Sequence, residues 1–176
     1  MRRPLVPLVI IVIVVGAITL GQTQPAVDAK LQGQLKQVIP SAGSFSPKVL
    51  DPPHFKAFAP SPAAGQQTVA GIAFWTTEIE PLERGYDGPI KILVGMDMQG
   101  MLTGIVVAQH HEPYGDFSIE PPQFAAQFKG KSVRDGFRVG ADIDAVSRAT
   151  ISMTSAARAI RNSARRMATQ LLAPPK

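Results

Sequence analysis

The sequence predicts an α+β fold, an antiparallel sheet with packed helices, preceded by one N-terminal transmembrane helix. Three observations predict it: an apolar run behind two arginines at the start, two apolar segments in the middle spelled as a hairpin, and an amphipathic helical pattern at the end. With 176 residues, 45% apolar and 18% charged, the chain has room for one ordinary domain plus extensions. The expected divisions are an anchor or uncleaved signal over residues 1–22, a short helix and proline-rich connection over 23–66, the main domain over 67–172, and a tail over 173–176.

Residues 5–20 are apolar apart from Pro7, Gly16 and Thr19, and they follow Arg2 and Arg3. Positive flanks on that side place everything after Gln22 outside the cytoplasm. Val27-Asp28-Ala29 also has small residues at the spacing of a signal-peptidase site. A retained helix is the preferred reading, because that site lies far beyond an apolar run long for a signal core. In residues 26–38, Val27, Leu31, Leu35 and Val38 recur at helical intervals and Pro40 ends the pattern, which predicts a short amphipathic helix. Residues 40–66 carry six prolines, so the expectation there is an irregular connection, with one candidate strand through Lys56-Ala57-Phe58.

The β-branched and aromatic residues of 68–78 predict a strand. Residues 90–96 and 102–108 are apolar runs separated by Asp97-Met98-Gln99-Gly100-Met101, the pattern of a hairpin. A short helix is expected over 121–129, with Phe124 and Phe128 four apart. The last helix is expected over 152–171, with Ala157, Ile160, Ala164, Met167 and Leu171 on one face and Arg158, Arg161, Arg165 and Arg166 on another. Ser152 or Thr154 is its expected N-cap.

The absence of cysteine excludes a thiolate-held iron–sulfur cluster, a Cys-ligated zinc and a disulfide. The formal charge of +5 reflects basic residues partly concentrated at the two ends, which argues against a nucleic-acid-binding face. His110, His111 and Glu112 are good ligand types, but adjacent histidines on a strand end point to opposite sides and only His54 remains, so no metal site is expected. No nucleophilic triad or acid–base pair is evident, and no catalytic residue is assigned. Trp75 and Tyr86 are flat enough to stack on a planar ligand, with core or turn packing as the alternative.

From Asp144 to Ser155 the chain offers Ser147, Thr150, Ser152, Thr154 and Ser155 directly before and within a helix start. Unpaired N–H groups and a partial positive charge make a helix N-terminus a seat for phosphate; the alternative is a cap and nothing else.

Two stretches carry a resemblance. One runs Gly85-Tyr-Asp-Gly-Pro-Ile-Lys-Ile-Leu-Val-Gly-Met-Asp-Met-Gln-Gly-Met-Leu-Thr-Gly-Ile-Val-Val, followed by His110-His-Glu-Pro-Tyr-Gly115; the other is Asp144-Ala-Val-Ser-Arg-Ala-Thr-Ile-Ser. In this order they resemble the FMN-binding domain family of the covalent-flavin subunits of the Rnf complex and the sodium-pumping NADH–quinone reductase. The resemblance extends to the membrane regulators of nitrous oxide and nitrite respiration (NosR and NirI types), to which this chain is most similar. It implies an electron carrier more than a stand-alone enzyme: an extracytoplasmic flavoprotein relaying electrons between a membrane donor and a periplasmic or membrane acceptor. It further implies a single-pass protein of the inner membrane, anchored in the lipid bilayer with its domain in the periplasm.

FMN would be esterified through its phosphate to Thr150 by a separate magnesium-dependent flavin transferase using FAD. Asp144, Ser147, Arg148 and Ala149 would surround it, and His111 and Glu112 would lie near the ring. Arg148 stands where the family motif has glycine. Its loop must therefore adopt an ordinary φ, or bear about 1 kcal/mol for the left-handed conformation. Its guanidinium either pairs with the phosphate or reduced flavin, or is a solvated loop arginine. Loss of attachment through Arg148 would leave a scaffold or sensory module; a third alternative is a reductase with non-covalent FMN.

Overall fold

The computed structural model describes residues 28–60 and 67–172. The expected membrane segment lies outside them, and among the described residues no helix is long and apolar enough to cross a membrane. The elements in order are α1 (Ala29–Val38), β1 (Ser44–Phe45), β2 (Val49–Leu50), β3 (Pro53–Phe58), β4 (Val69–Trp75), α2 (Thr76–Ile79), β5 (Lys91–Asp97), β6 (Leu102–Gln109), α3 (Gly115–Ser118), α4 (Pro122–Ala126) and α5 (Thr150–Leu171). All strand pairs are antiparallel, in the order β1-β3-β4-β5-β6 with β2 on β3. The α+β expectation holds.

The centre of the sheet explains the unbroken apolar run of β5. Successive side chains of a strand point to opposite faces. Ile92, Val94 and Met96 join Ile72, Phe74 and Ile105 beneath α5, which contributes Met153, Ala156, Ile160, Ala164 and Met167. Leu93 joins Ala73, Trp75 and Phe55 on the other face, covered by Leu35, Val38 and Ile39 of α1 and its end. Gly95 and Gly104 are register partners there. A Cβ at Gly95 would lie 2.5 Å from the Val38 carbonyl oxygen, so glycine is what lets α1 end directly on the sheet. The Thr103 hydroxyl donates to that same carbonyl at 2.6 Å, satisfying one of the helix's terminal acceptors.

Three expectations need correction. Residues 40–60 are not irregular: they hold three strands, and the candidate strand at Lys56-Ala57-Phe58 is the end of β3. Its prolines do not prevent this, because Pro53 occupies the first strand position and Pro47 and Pro52 sit between strands. The strand expected over 68–78 stops at Trp75. Thr76 turns the chain there, its buried hydroxyl accepting from the Ile92 N–H (3.1 Å) and donating to the Ile90 carbonyl (3.3 Å). The last helix begins at Thr150, and neither Ser152 nor Thr154 caps it. The arginine face of α5, as expected opposite its apolar one, is tied to neighbouring segments. Arg158 grips Glu83 through Nε and Nη2 (2.8 and 2.6 Å), Arg166 reaches Glu80 at 3.0 Å, and Arg165 donates to the carbonyls of Val133 and Asp135, both at 2.8 Å.

Candidate functional site

The start of α5 is built by the backbone of two residues. Arg148 has φ +70° and Ala149 has φ −115°, ψ 15°, which swings the chain into the helix. The first helical bond is from the Met153 N–H to the Ala149 carbonyl (3.0 Å), so the N–H groups of Thr150, Ile151 and Ser152 precede it; no side chain caps the end. Arg148 thus takes the left-handed conformation that glycine adopts freely, at a cost of about 1 kcal/mol.

This helix start forms one wall of a cavity of about 490 Å³. Arg148, Thr150, Ile151 and Ser152 line it, facing Tyr86 from the loop before β5 and Pro113 and Tyr114 from the loop after β6. Tyr86 is 68% exposed; Tyr114 and Ile151 are also exposed, and the Tyr114 ring packs 5.4 Å from that of Phe117. A larger groove of about 690 Å³ runs beside β6. It borders neither Thr150 nor the start of α5, and the Glu120 carboxylate lines it, so the smaller cavity is the one with anion-binding chemistry.

Glu112 ties the three walls together. It is 6% exposed, and its carboxylate accepts the N–H groups of Tyr86 (2.9 Å) and Asp87 (3.0 Å) and the Ser152 hydroxyl. A Cβ at Gly85 would sit 2.3 Å from the Glu112 Oε1, so that approach requires glycine. His110 holds the other side: Nδ1 accepts from the Glu112 N–H (3.1 Å) while Nε2 contacts the Glu120 carboxylate at 2.7 Å.

Burial pushes the Glu112 carboxyl up, but the Ser152 hydroxyl, the two N–H groups and nearby His110 outweigh it and hold the group below the usual glutamate range. Glu83 follows the same pattern: burial raises it, and the Arg158 guanidinium and Ser155 hydroxyl bring it below that range. A carboxyl depressed in the folded state contributes stability that is present above its unfolded value, about 4.3, and lost as pH falls through the folded value. Acid titration followed by circular dichroism is therefore expected to show stability falling below about pH 4.3, less steeply in Glu83→Gln. A flat profile down to about pH 3 would refute the linkage.

The structure brings only part of the expected site together. Thr150 and Arg148 line the cavity, Ala149 is buried beneath it, and Glu112 supports it from behind. Asp144 and Ser147 are exposed and do not line it; the Asp144 N–H instead bonds the Gln127 side chain at 2.6 Å. His111 borders a different depression with Thr77, Pro81, Pro89 and Lys91. Of the two aromatics, Tyr86 lines the cavity, whereas Trp75 is 7% exposed in the opposite core layer, with the Lys91 ammonium 4.6 Å from its ring centroid. Tyr114 and Ile151 were not singled out from sequence as parts of the site; Ser152 was named there as a hydroxyl of the helix start and His110 as a ligand type, neither as a partner of Glu112. The one local signal is an aromatic placed just beyond the His-His-Glu turn.

An uncapped helix start, a cationic side chain and two tyrosines around one cavity have the chemistry to hold a phosphorylated planar ligand. Residues 85–165 match the model of the FMN-binding domain family. The chain is also similar to one of the subunits of the ion-translocating oxidoreductase complex of Vibrio vulnificus (strain YJ016), 32% identical over 88 residues. That match covers 44% of this chain and 42% of the relative, so the chain spans less than half the length of the curated protein it matches.

Proposed function

We propose that this chain is a membrane-anchored, extracytoplasmic electron-transfer flavoprotein that carries FMN through a phosphoester bond to Thr150. One observation carries the reading: within the stretch that matches the FMN-binding domain family, the motif threonine opens an uncapped helix and lines the cavity. The residues present fit the group. The N–H groups at the helix start and the Arg148 guanidinium oppose the phosphate charge, and Tyr86 and Tyr114 provide flat apolar walls. Glu112 and His110 keep those walls in place. Bound FMN supplies one- and two-electron redox chemistry.

Attachment takes place when the Thr150 hydroxyl displaces AMP from FAD, catalysed by a magnesium-dependent flavin transferase outside the cytoplasm. Arg2 and Arg3 before the apolar residues 5–20 support a single pass of the inner membrane with the domain in the periplasm. The relative's name, which makes it part of an oxidoreductase complex, supports redox partners on other polypeptides. No residue of this sequence can supply a thiolate to a cluster, so the flavin is the redox group that its own residues would hold.

Arg148 in the glycine position favours a second reading, a scaffold or sensory module without flavin. The left-handed backbone at Arg148, the conformation that glycine favours, weighs for the first. The test is intact-mass measurement of protein co-produced with the flavin transferase. The expected result is the added mass of FMN less one water, absent in Thr150→Ala. Colourless, unmodified wild-type protein would sink the covalent reading, and flavin released by mild denaturation would favour a reductase with non-covalent FMN.

A further inference from the structure

Arg148 combines three properties. Its backbone sits at φ +70°, which side chains rarely adopt. Its side chain lines the Thr150 cavity. Among the described residues its guanidinium makes no ion pair or hydrogen bond, whereas Arg158, Arg161, Arg165 and Arg166 on α5 all have partners. No acidic side chain lines the cavity to compete for it, and the nearby Glu112 is already occupied by three donors.

We propose that Arg148 is a specificity-determining residue that makes the cavity select phosphorylated over unphosphorylated flavin, holding the phosphate beside the Thr150 hydroxyl. The inference rests on the flavin reading of the cavity. It assigns a role to the one motif position where this chain departs from the family pattern. A guanidinium pairs with a phosphate through two parallel N–H bonds, which a lysine, as a point charge, reproduces only in part. The helix N–H groups oppose the same charge from the other side. Riboflavin, with no phosphate, gains nothing from either.

The experiment uses the full-length chain in detergent with Thr150→Ala, which cannot be esterified, titrated with FMN and separately with riboflavin by fluorescence polarisation. FMN is expected to bind more tightly than riboflavin. Adding Arg148→Gly should weaken FMN on the order of ten- to a hundredfold while leaving riboflavin unchanged, and Arg148→Lys should restore part of the difference. The glycine variant suits the backbone conformation at this position, so it is expected to fold. Equal loss for both flavins, no loss for either, or no binding of either ligand would overturn the proposal. The covalent reading fails separately: an unmodified wild-type mass alongside Arg148-dependent FMN selectivity would remove the ester and leave this inference standing.

Discussion

Replacing Glu112 with alanine is expected to destabilise the domain by about 3–5 kcal/mol, because the carboxylate serves three donors at once. Two are N–H groups of the loop before β5, and the third is a hydroxyl in the first turn of α5. A hydrogen bond to a charged group contributes about 1.5–3 kcal/mol, and water reaching the part-buried N–H groups recovers a share of the loss. Against a typical total of about 5–15 kcal/mol the change is large. Glu112→Gln should cost less, since its carbonyl oxygen still accepts while its amide group faces donors. Urea denaturation gives the comparison, with m-values checking that unfolding stays cooperative. A loss under about 1 kcal/mol for alanine would show that the carboxylate does not join the walls.

Phe128→Ala is the second large effect, expected to cost about 3–5 kcal/mol. Phe128 is 0% exposed and sits between two rings, edge-on to Phe124 at 5.1 Å and stacked on Phe137 at 5.9 Å. Removing it leaves a void under the segment leading to the 144–149 turn, which has little regular structure to close over it. Phe128→Leu keeps most of the volume and should cost about half as much or less. If thermal unfolding of the alanine variant shifted by under about 2 °C, the three rings would not form a cooperative unit.

What was legible in the sequence follows the range of the interactions. The β5–β6 hairpin and α1 were readable because their signals are local: alternating or unbroken apolar runs around a turn, and a four-residue period closed by Pro40. The body of α5 was readable for the same reason, but its start was not. The hydroxyls of Ser152 and Thr154 look like caps in sequence, yet Ser152 is turned inward to Glu112, forty residues away along the chain. The strands at 44–58 were hidden by prolines that fall at strand ends, and by two-residue strands too short to show a period. Within the site, Thr150 stood out through its motif, and Arg148 as a departure from it. Tyr114 and Ile151 did not, because a cavity wall made by separate loops leaves no pattern in any one of them.

The Glu112 carboxylate reaches partners 25, 26 and 40 residues away in sequence, and the cavity exists only where those stretches converge. No fragment can display it, and no nascent chain can before α5 has emerged. A modifying enzyme that recognised the assembled walls would thereby act as an inspector of finished protein, spending its costly donor only on copies that had folded.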